Sequence, residues 1–244
     1  MTIRAGMGGW TFEPWRGTFY PTGLQHAREL AFASRAVTAI EVNGTFYSTM
    51  SPATYSKWAA EAPDEFVFAL KGPRYAVNRR VLAEAGESIA RFITSGIDRL
   101  EGKLGPILWQ LAATKRFDAD DIARFLDLLP TRSGDVPLRH ALEPRHPSFD
   151  ELRLFDIAAA ANVAVVYADA HDYPCFPVQT ADFTYARLQN GTDDEPLGYP
   201  PAALDGWAEQ ARAWGGGGRD AFVFFIAGGK VRAPLAAQGL LARL

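Results

Sequence analysis

Short apolar runs recur along the chain, and most are followed by a segment in which apolar residues return every three or four positions. The runs are nearly continuous in apolar residues, which is typical of strands buried on both faces of a sheet. Eight strands are predicted: Ile3–Gly9, Ala39–Thr45, Glu65–Lys71, Pro106–Leu111, Leu138–Arg145, Val163–Asp169, Phe183–Gln189 and Ala221–Ala227.

Helical periodicity fills most of the intervals between these strands. Seven helices are predicted: Leu24–Ala36, Ala53–Ala62, Glu87–Leu100, Asp118–Leu129, Ser148–Ala161, Pro201–Trp214 and Pro234–Leu244. Ser148 and Glu151 form a capping-box pattern at the start of the fifth helix. The segment Ala170–Asp182 contains two prolines and little periodicity, so it is predicted to be a loop.

Alternation of strand and helix predicts parallel strands with right-handed crossovers. A chain of 244 residues fits one α/β domain over 1–244, an irregular (β/α)8 TIM-type barrel with a helix-poor connection between strands six and seven. An open doubly wound sheet is the alternative. Such sheets usually carry a glycine-rich phosphate turn after the first strand, and Gly6, Gly8 and Gly9 do not match that fingerprint. The barrel is therefore the preferred prediction.

The composition of the chain limits the classes of molecule that it is expected to bind. The net charge is −3 and the pI is about 5.8, so no global basic field favours nucleic acid or an anionic membrane. The sequence shows neither a signal peptide nor a long apolar span. Its one cysteine, Cys175, fits a reducing compartment. We therefore expect a cytoplasmic protein that acts on a small molecule, and the sequence does not specify its oligomeric state.

Polar side chains fall repeatedly at the carboxyl ends of the apolar strands. In a (β/α)8 barrel these ends surround one mouth. Carboxylates and cations that converge there favour a pocket for a polar or anionic ligand, although ion pairs that plug the barrel are the structural alternative. The candidates are Trp10, Glu41, Asn43, Tyr47, Lys71, Gln110, Glu143, Arg145, His146, Asp169 and Arg187.

The same positions carry motifs that resemble a known family. The motifs are Trp15 with Phe19-Tyr20-Pro21, Glu41-x-Asn43-x-Thr45-Phe46-Tyr47, Phe66-x-Phe68 with Lys71, Leu104-Gly105-Pro106 with Gln110-Leu111, Glu143-x-Arg145-His146 and Tyr185-x-Arg187-Leu188. In this combination and order they resemble the YecE-like family, also called domain of unknown function 72. The resemblance implies a TIM-barrel-like fold and a pocket whose biochemical role is not established. A relationship to sugar isomerases has been suggested for the family.

The chain departs from the family pattern at three places. Val77-Asn78 stands where the family usually has Thr-His, and Gln189-Asn190-Gly191 follows Leu188 where it often has His-Gly. Ile226-Ala227 stands where paired asparagines usually close the last strand. Two proton carriers and an amide pair are therefore replaced, which indicates a divergent member with altered ligand preference or lost activity.

The first functional hypothesis is acid–base chemistry on a small oxygen-rich substrate, such as a sugar or a sugar acid, without an organic cofactor. Glu41 or Glu143 would abstract a proton, and Lys71, Arg145 or Arg187 would hold an anionic group or an enolate. His146 is a candidate proton shuttle, but it is one residue out of phase with Glu143 and Arg145.

Three alternatives remain open at this point. Glu41 and Glu143 would serve a glycoside hydrolase, with aromatic residues such as Trp10 and Tyr47 stacking on sugar rings. Metal-assisted isomerisation would use ligands from the set Glu41, Glu143, Asp169, His146 and His171, but no tight ligand spacing is present and the nearby cations disfavour a metal. The third alternative is a binding protein without catalysis. A basic cluster after strand three, Arg74, Arg79 and Arg80, would then recruit an anion or form a solvated loop.

Overall fold

A computed structural model describes residues 2–226 and 228–244 of the chain. Nine strands form one parallel sheet in the order β8-β7-β4-β3-β2-β1-β11-β10-β9, and β5 and β6 form a small antiparallel hairpin. The strands are β1 (Ile3–Gly8), β2 (Ala39–Val42), β3 (Val67–Lys71), β4 (Leu104–Gln110), β5 (Arg132–Ser133), β6 (Val136–Pro137), β7 (His140–Glu143), β8 (Val163–Val165), β9 (Tyr167–Asp169), β10 (Phe183–Leu188) and β11 (Asp220–Phe225).

The two edges of this sheet belong to one stretch of chain. β8 and β9 are separated only by Val166; β8 pairs with β7, and β9 pairs with β10. Val166 also donates its N–H to Leu142 O at 2.9 Å. The sixth predicted strand is thus divided between its two neighbours, and the sheet curves round on itself. The predicted parallel TIM-type barrel is confirmed, with an interruption in strand six.

A threonine hydroxyl fills the gap in hydrogen bonding that this division leaves. Thr180 Oγ1 accepts from Val165 N at 2.8 Å and donates to Val163 O at 2.7 Å. These backbone groups lie on β8, which does not pair with β10. Because an unpaired buried backbone group is costly, the Thr180 side chain acts as a substitute for a neighbouring strand.

Helices cover the outside of the barrel, and the predicted ones are present with shifted ends. The helices are α1 (Glu29–Ala36), α2 (Gly44–Tyr47), α3 (Pro52–Glu61), α4 (Arg74–Val77), α5 (Gly86–Ile93), α6 (Ala119–Asp127), α7 (Leu152–Ala160), α8 (Pro201–Trp214) and α9 (Ala233–Leu241). The segment 170–182 contains no helix, so the predicted helix-poor connection is confirmed. None of the helices in the described ranges is long and apolar enough to cross a membrane.

Two local predictions were wrong. The second strand ends at Val42 rather than Thr45, because Thr45 Oγ1 binds Val42 O at 3.0 Å and the chain turns into α2. The fifth predicted helix does not begin with a capping box. Ser148 lies in a 3-10 turn before α7, where its hydroxyl accepts from Phe117 N at 2.9 Å. The predicted end of the last strand at Ala227 lies outside the described residues.

Side-chain alternation along the strands separates two cores. One set of residues packs outward against the helices, and a second set fills the inside of the barrel. The inner set is built from small and aromatic residues: Ala39, Val67, Ala69, Leu108, Ala141, Ala164, Val166, Ala168, Phe183, Tyr185, Phe222 and Phe224. Residues two positions further along the same strands also point inward, toward the mouth. Glu41, Lys71, Gln110, Glu143 and Arg187 all occupy such positions.

Candidate functional site

Arg187, near the end of β10, lies at the centre of the barrel mouth and joins two carboxylates from opposite parts of the sheet. Its Nε and Nη2 donate to the two oxygens of Glu41 at 3.0 and 3.1 Å. Its Nη1 lies 2.8 Å from both oxygens of Glu143. Tyr185 Oη donates to Glu41 Oε2 at 2.8 Å. The Arg187 guanidinium is therefore held in place by a carboxylate on each of two edges.

Glu143, at the end of β7, receives further donors from the neighbouring residues. Gln110 Nε2 donates to Oε2 at 2.6 Å, while Nε and Nη2 of Arg145 lie 3.3 and 3.2 Å from Oε1. The ring of Tyr173 lies 4.2 Å from the Arg145 guanidinium carbon, in the range of a cation–π contact. Glu143 thus carries a dense set of hydrogen bonds, and Arg145 is held between a carboxylate and an aromatic ring.

The electrostatics follow from burial and pairing. Glu41 and Glu143 are both completely buried. Burial by itself raises the pKa of Glu143, but the charges of Arg187 and Arg145 and the Gln110 hydrogen bond hold this pKa below its ordinary value. Burial, together with the Glu41 charge, raises the pKa of Tyr185 well above its ordinary value. Glu143 therefore stays ionised in the folded protein, and Tyr185 stays protonated.

Lys71 ends β3 beside this network but is not part of its hydrogen bonding. Its backbone N–H donates to Thr45 Oγ1 at 3.1 Å, and that hydroxyl donates to Lys71 O at 2.7 Å. Its ammonium lies 4.4 Å from the centre of the Phe46 ring. Burial lowers the pKa of Lys71 to about 8, against the attraction of Glu41. Lys71 thus changes its charge within about one pH unit of neutrality.

A cavity of about 560 Å³ opens over these residues. Its described lining carries four cationic side chains, Lys71, Arg145, Arg187 and Lys230, and one acidic side chain, Asp172. The other lining residues are Gly8, Trp15, Asn43, Gln110, Ala170, His171, Tyr173, Gln189, Asn190, Phe225, Ile226, Gly228 and Ala233. Glu41 and Glu143 are not among the lining residues. The lining thus carries more cationic than acidic side chains, and because the buried Glu41 and Glu143 behind it offset two of those charges, a small excess of positive charge remains.

The predicted site residues divide into those that surround the cavity and those that do not. Asn43, Lys71, Gln110, Arg145 and Arg187 line it, with Glu41 and Glu143 behind them. Asp169 accepts from Asn190 Nδ2 at 2.9 Å, and burial raises its pKa.

The structure does not bring Trp10, Tyr47 or His146 to the lining. Trp10 packs edge-on against Trp58 at 5.1 Å, and Tyr47 is 64% exposed. His146 Nδ1 accepts from Ser148 N at 3.1 Å and so caps a 3-10 turn. Packing thus explains the position of Trp10, and capping explains the position of His146.

Several residues of the cavity and of the hydrogen-bond network behind it are not among the predicted site residues. Tyr185 has the same strand phase as Arg187, so the alternation rule provides a signal for it. Tyr173 and His171 come from the loop 170–182, and Lys230 comes from the turn before α9. Strand alternation offers no signal for loop residues, so Tyr173 and Lys230 were not predicted, and His171 was named only as a candidate metal ligand.

The basic cluster after β3 lies along a separate groove. Arg79 and Arg80 line a depression of about 780 Å³ together with Lys115 and Arg116. Two of these cationic side chains already have partners, since Arg79 donates to Tyr75 O at 2.8 Å and Lys115 pairs with Asp121 at 2.6 Å. No group of three or more His, Cys, Asp or Glu side chains in the described ranges is arranged to hold a metal ion.

Solved structures share this architecture. A DUF72 family protein from Thermotoga maritima has a TM-score of 0.76 at 20% identity, covering 99% of this chain and 97% of that one. A DUF72 family protein from Enterococcus faecalis has a TM-score of 0.76 at 17% identity, with 100% and 95% covered. A xylose isomerase-like TIM barrel/4-hydroxyphenylpyruvate dioxygenase fusion protein has a TM-score of 0.55 at 13% identity, with 97% and 42% covered. These likenesses concern the fold.

Among curated proteins, no match to this chain was found. The family model described as "Protein of unknown function DUF72" matches residues 4–244. The chain therefore belongs to the DUF72 family, as the motifs around Glu41, Glu143 and Arg187 predicted.

Proposed function

We propose that the barrel mouth binds a small, oxygen-rich anion such as a sugar acid or a sugar phosphate, and that Lys71 exchanges a proton with it. The observation that carries this proposal is the charge of the wall. The described part of the lining contains four cationic side chains and one acidic side chain around about 560 Å³. A volume of this order suits a metabolite of the size of a sugar.

Arg145 and Arg187 have different parts in this proposal. Arg187 already makes hydrogen bonds through Nε and both Nη atoms, so it contributes a fixed positive charge. Arg145 uses Nε and Nη2 on Glu143, and its Nη1 makes no hydrogen bond to the described residues. That nitrogen is available to a carboxylate or phosphate oxygen, because guanidinium groups suit planar oxyanions.

Amide groups supply contacts for the hydroxyl groups of such a ligand. Asn43 and Gln110 line the cavity, and so do Gln189 and Asn190. Gln189 Nε2 is buried without a hydrogen-bond partner among the described residues, and the same is true of Asn190 Oδ1. Both atoms are enclosed by the protein, so ligand hydroxyl groups would meet the other donor and acceptor atoms of these four amides. A polyol attached to an anionic group therefore fits this wall.

Lys71 is a better proton carrier than either glutamate. A general base works best when its pKa lies near the working pH, and the pKa of Lys71 is lowered to about 8. Glu143 is held ionised by several donors, so its basicity is weak. In this proposal Glu41 and Glu143, which were predicted as bases, orient the arginine instead. The same engagement argues against a glycoside hydrolase, which needs a carboxylate facing the sugar.

The test is binding of chemically matched ligands. Calorimetric titration with gluconate, glucose 6-phosphate and glucose should show binding of at least one of the two anions and none of the neutral sugar. Arg145→Gln should weaken that binding by about tenfold or more, which corresponds to the loss of one charge-assisted contact. Arg80→Gln, a matched change in the separate groove, should leave it unchanged. Equal binding of glucose, or equal effects of the two substitutions, would contradict the proposal.

Catalysis is tested separately from binding. Incubation of the bound anion in deuterium oxide should produce exchange of a carbon-bound proton, visible by NMR, in the wild type but not in Lys71→Met. If binding occurs without exchange, the protein is an anion-binding protein and the acid–base part of the proposal fails.

A further inference from the structure

We propose that Lys71 is an amine nucleophile that forms an imine with an aldehyde or ketone bearing a carboxylate or phosphate group. This inference rests on the anionic ligand proposed above and deepens it, because it adds a carbonyl group to the ligand. Lysine amines attack carbonyl compounds when they are accessible, positioned and at least partly neutral.

Lys71 is accessible from the cavity and free to react. Its side chain has the inward phase of β3 and belongs to the cavity wall. Neither a hydrogen bond nor an ion pair joins its ammonium to the described residues, and Glu41 and Glu143 are both engaged by Arg187. The nitrogen is therefore not occupied by a carboxylate, unlike most buried lysines.

The backbone and one aromatic ring position the amine. Thr45 Oγ1 binds both the N–H and the C=O of Lys71, at 3.1 and 2.7 Å, so the base of the side chain is fixed. Phe46 lies on one side of the nitrogen, with its ring centre 4.4 Å away. An apolar neighbour and a fixed base leave the open direction toward the cavity, where a carbonyl carbon would approach.

The surroundings of Lys71 also keep part of its amine in the neutral form. Burial is the main cause that lowers the pKa of Lys71 to about 8, and the Arg187 charge acts in the same direction. At pH 7 about one tenth of such a group is neutral, compared with about one in several thousand for an ordinary lysine. Arg145, whose Nη1 makes no hydrogen bond to the described residues, would hold the anionic end of the ligand beside the amine.

The reaction is balanced within the protein and the ligand. The neutral Lys71 nitrogen attacks the carbonyl carbon, the C=O π electrons move to oxygen, and a carbinolamine forms. The oxygen then leaves as water with the two hydrogens that the nitrogen loses, and a C=N bond replaces the C=O bond. Starting from the ammonium, the products are a protonated imine and one water, so no proton is gained or lost overall. No oxidant or reductant is needed for this step.

The chain contains its own control for reactivity. It has five lysines, Lys57, Lys71, Lys103, Lys115 and Lys230. Lys230 lines the same cavity and lies 4.1 Å from the Phe12 ring centre, but it is exposed, whereas Lys71 is buried. A reagent that entered the cavity without selecting the buried amine would label Lys230 at least as fast as Lys71.

The experiment is reductive trapping at pH 7 with glyoxylate, an anionic aldehyde, and sodium cyanoborohydride, followed by peptide mass spectrometry. We expect Lys71 to be labelled at least about tenfold faster than Lys230, as its larger neutral fraction requires. Acetaldehyde, which is neutral, should show a smaller preference for Lys71. Lys71→Arg should abolish this label without unfolding the protein, and Lys57→Arg, at an exposed lysine outside the cavity, should leave labelling of Lys71 unchanged.

Two results would overturn the inference. Labelling of Lys71 no faster than Lys230 would show that the amine is not an activated nucleophile. An equal preference for Lys71 with acetaldehyde and glyoxylate would show that the carbonyl compound needs no anionic group. Calorimetric binding of gluconate or glucose 6-phosphate, with its loss in Arg145→Gln, is measured independently of this reaction. It therefore distinguishes failure of the imine from failure of the anion site.

Discussion

At the scale of single residues, the site combines charged groups that are fully paired with one that has no charged partner. Arg187, Glu41 and Glu143 satisfy one another inside the barrel, with hydrogen bonds between 2.8 and 3.1 Å. Such a buried network fixes geometry more than it adds stability, because desolvation offsets much of the attraction. Lys71 has no such partner, so its charge is held at a cost to the fold.

This cost leads to a pH-dependent prediction for Lys71→Met. The folded pKa of about 8 lies below the unfolded value of about 10.5, so the unfolded chain binds the proton more tightly. The wild type is thus penalised fully below pH 8, and the penalty disappears as the pH rises through 10.5. We expect the Met variant to be more stable at pH 7, by up to about 3 kcal/mol, and this advantage to shrink toward pH 11.

Urea denaturation of both proteins between pH 7 and 11 measures this difference. Lys230→Met, at an exposed lysine of the same cavity, is the matched control. A difference between wild type and Lys71→Met that stays constant over this range would contradict the account of Lys71.

Residues on the strands or directly after them could be predicted, and residues deeper in the loops could not. Glu41, Lys71, Glu143 and Arg187 share the inward phase of strands, so alternation alone places them together. Tyr173, which stacks on Arg145, lies in an irregular loop whose path is set by packing. The spacing of apolar residues gives no information about a loop residue, so Tyr173 was not predicted.

At the scale of elements, the interrupted sixth strand is the feature that the sequence did not predict. Val163–Asp169 reads as one apolar run, but its halves pair with different neighbours. The short helices α2 and α4 were missed for a related reason. Each is one turn long, and one turn is too short to show a helical period. The longer elements, in contrast, were found because several turns or alternations repeat the signal.

The closure at β8 predicts a specific role for Thr180. Thr180→Val keeps the size of the side chain but leaves Val165 N–H and Val163 C=O without their buried partner. We expect a loss of about 2–4 kcal/mol in the free energy of unfolding, because each unsatisfied group costs about 1–3 kcal/mol. Urea denaturation gives this quantity. Thr180→Ser keeps the hydroxyl and should retain most of the stability, so equal losses in the two variants would refute this role.

At the scale of the whole molecule, the barrel concentrates positive charge that the chain as a whole lacks. The net charge is −3, yet the described cavity lining has four cationic side chains against one acidic side chain. Parallel strands produce this arrangement by delivering their carboxyl ends to one rim. The alternation of strands and helices was enough to predict the barrel and most of this rim. The identity of the ligand depends on loop geometry, which the alternation of strands and helices does not predict.

The central claim is that this cavity is an anion site, and it is tested most directly by anomalous diffraction from a crystal soaked in selenate. A bound selenate should place its oxygens within hydrogen-bonding distance of Arg145 Nη1 and Lys71 Nζ, giving a selenium peak in the cavity that is lost in Arg145→Gln. Selenate bound only in the separate groove at Arg80 and Arg116, with none in the cavity, would contradict it.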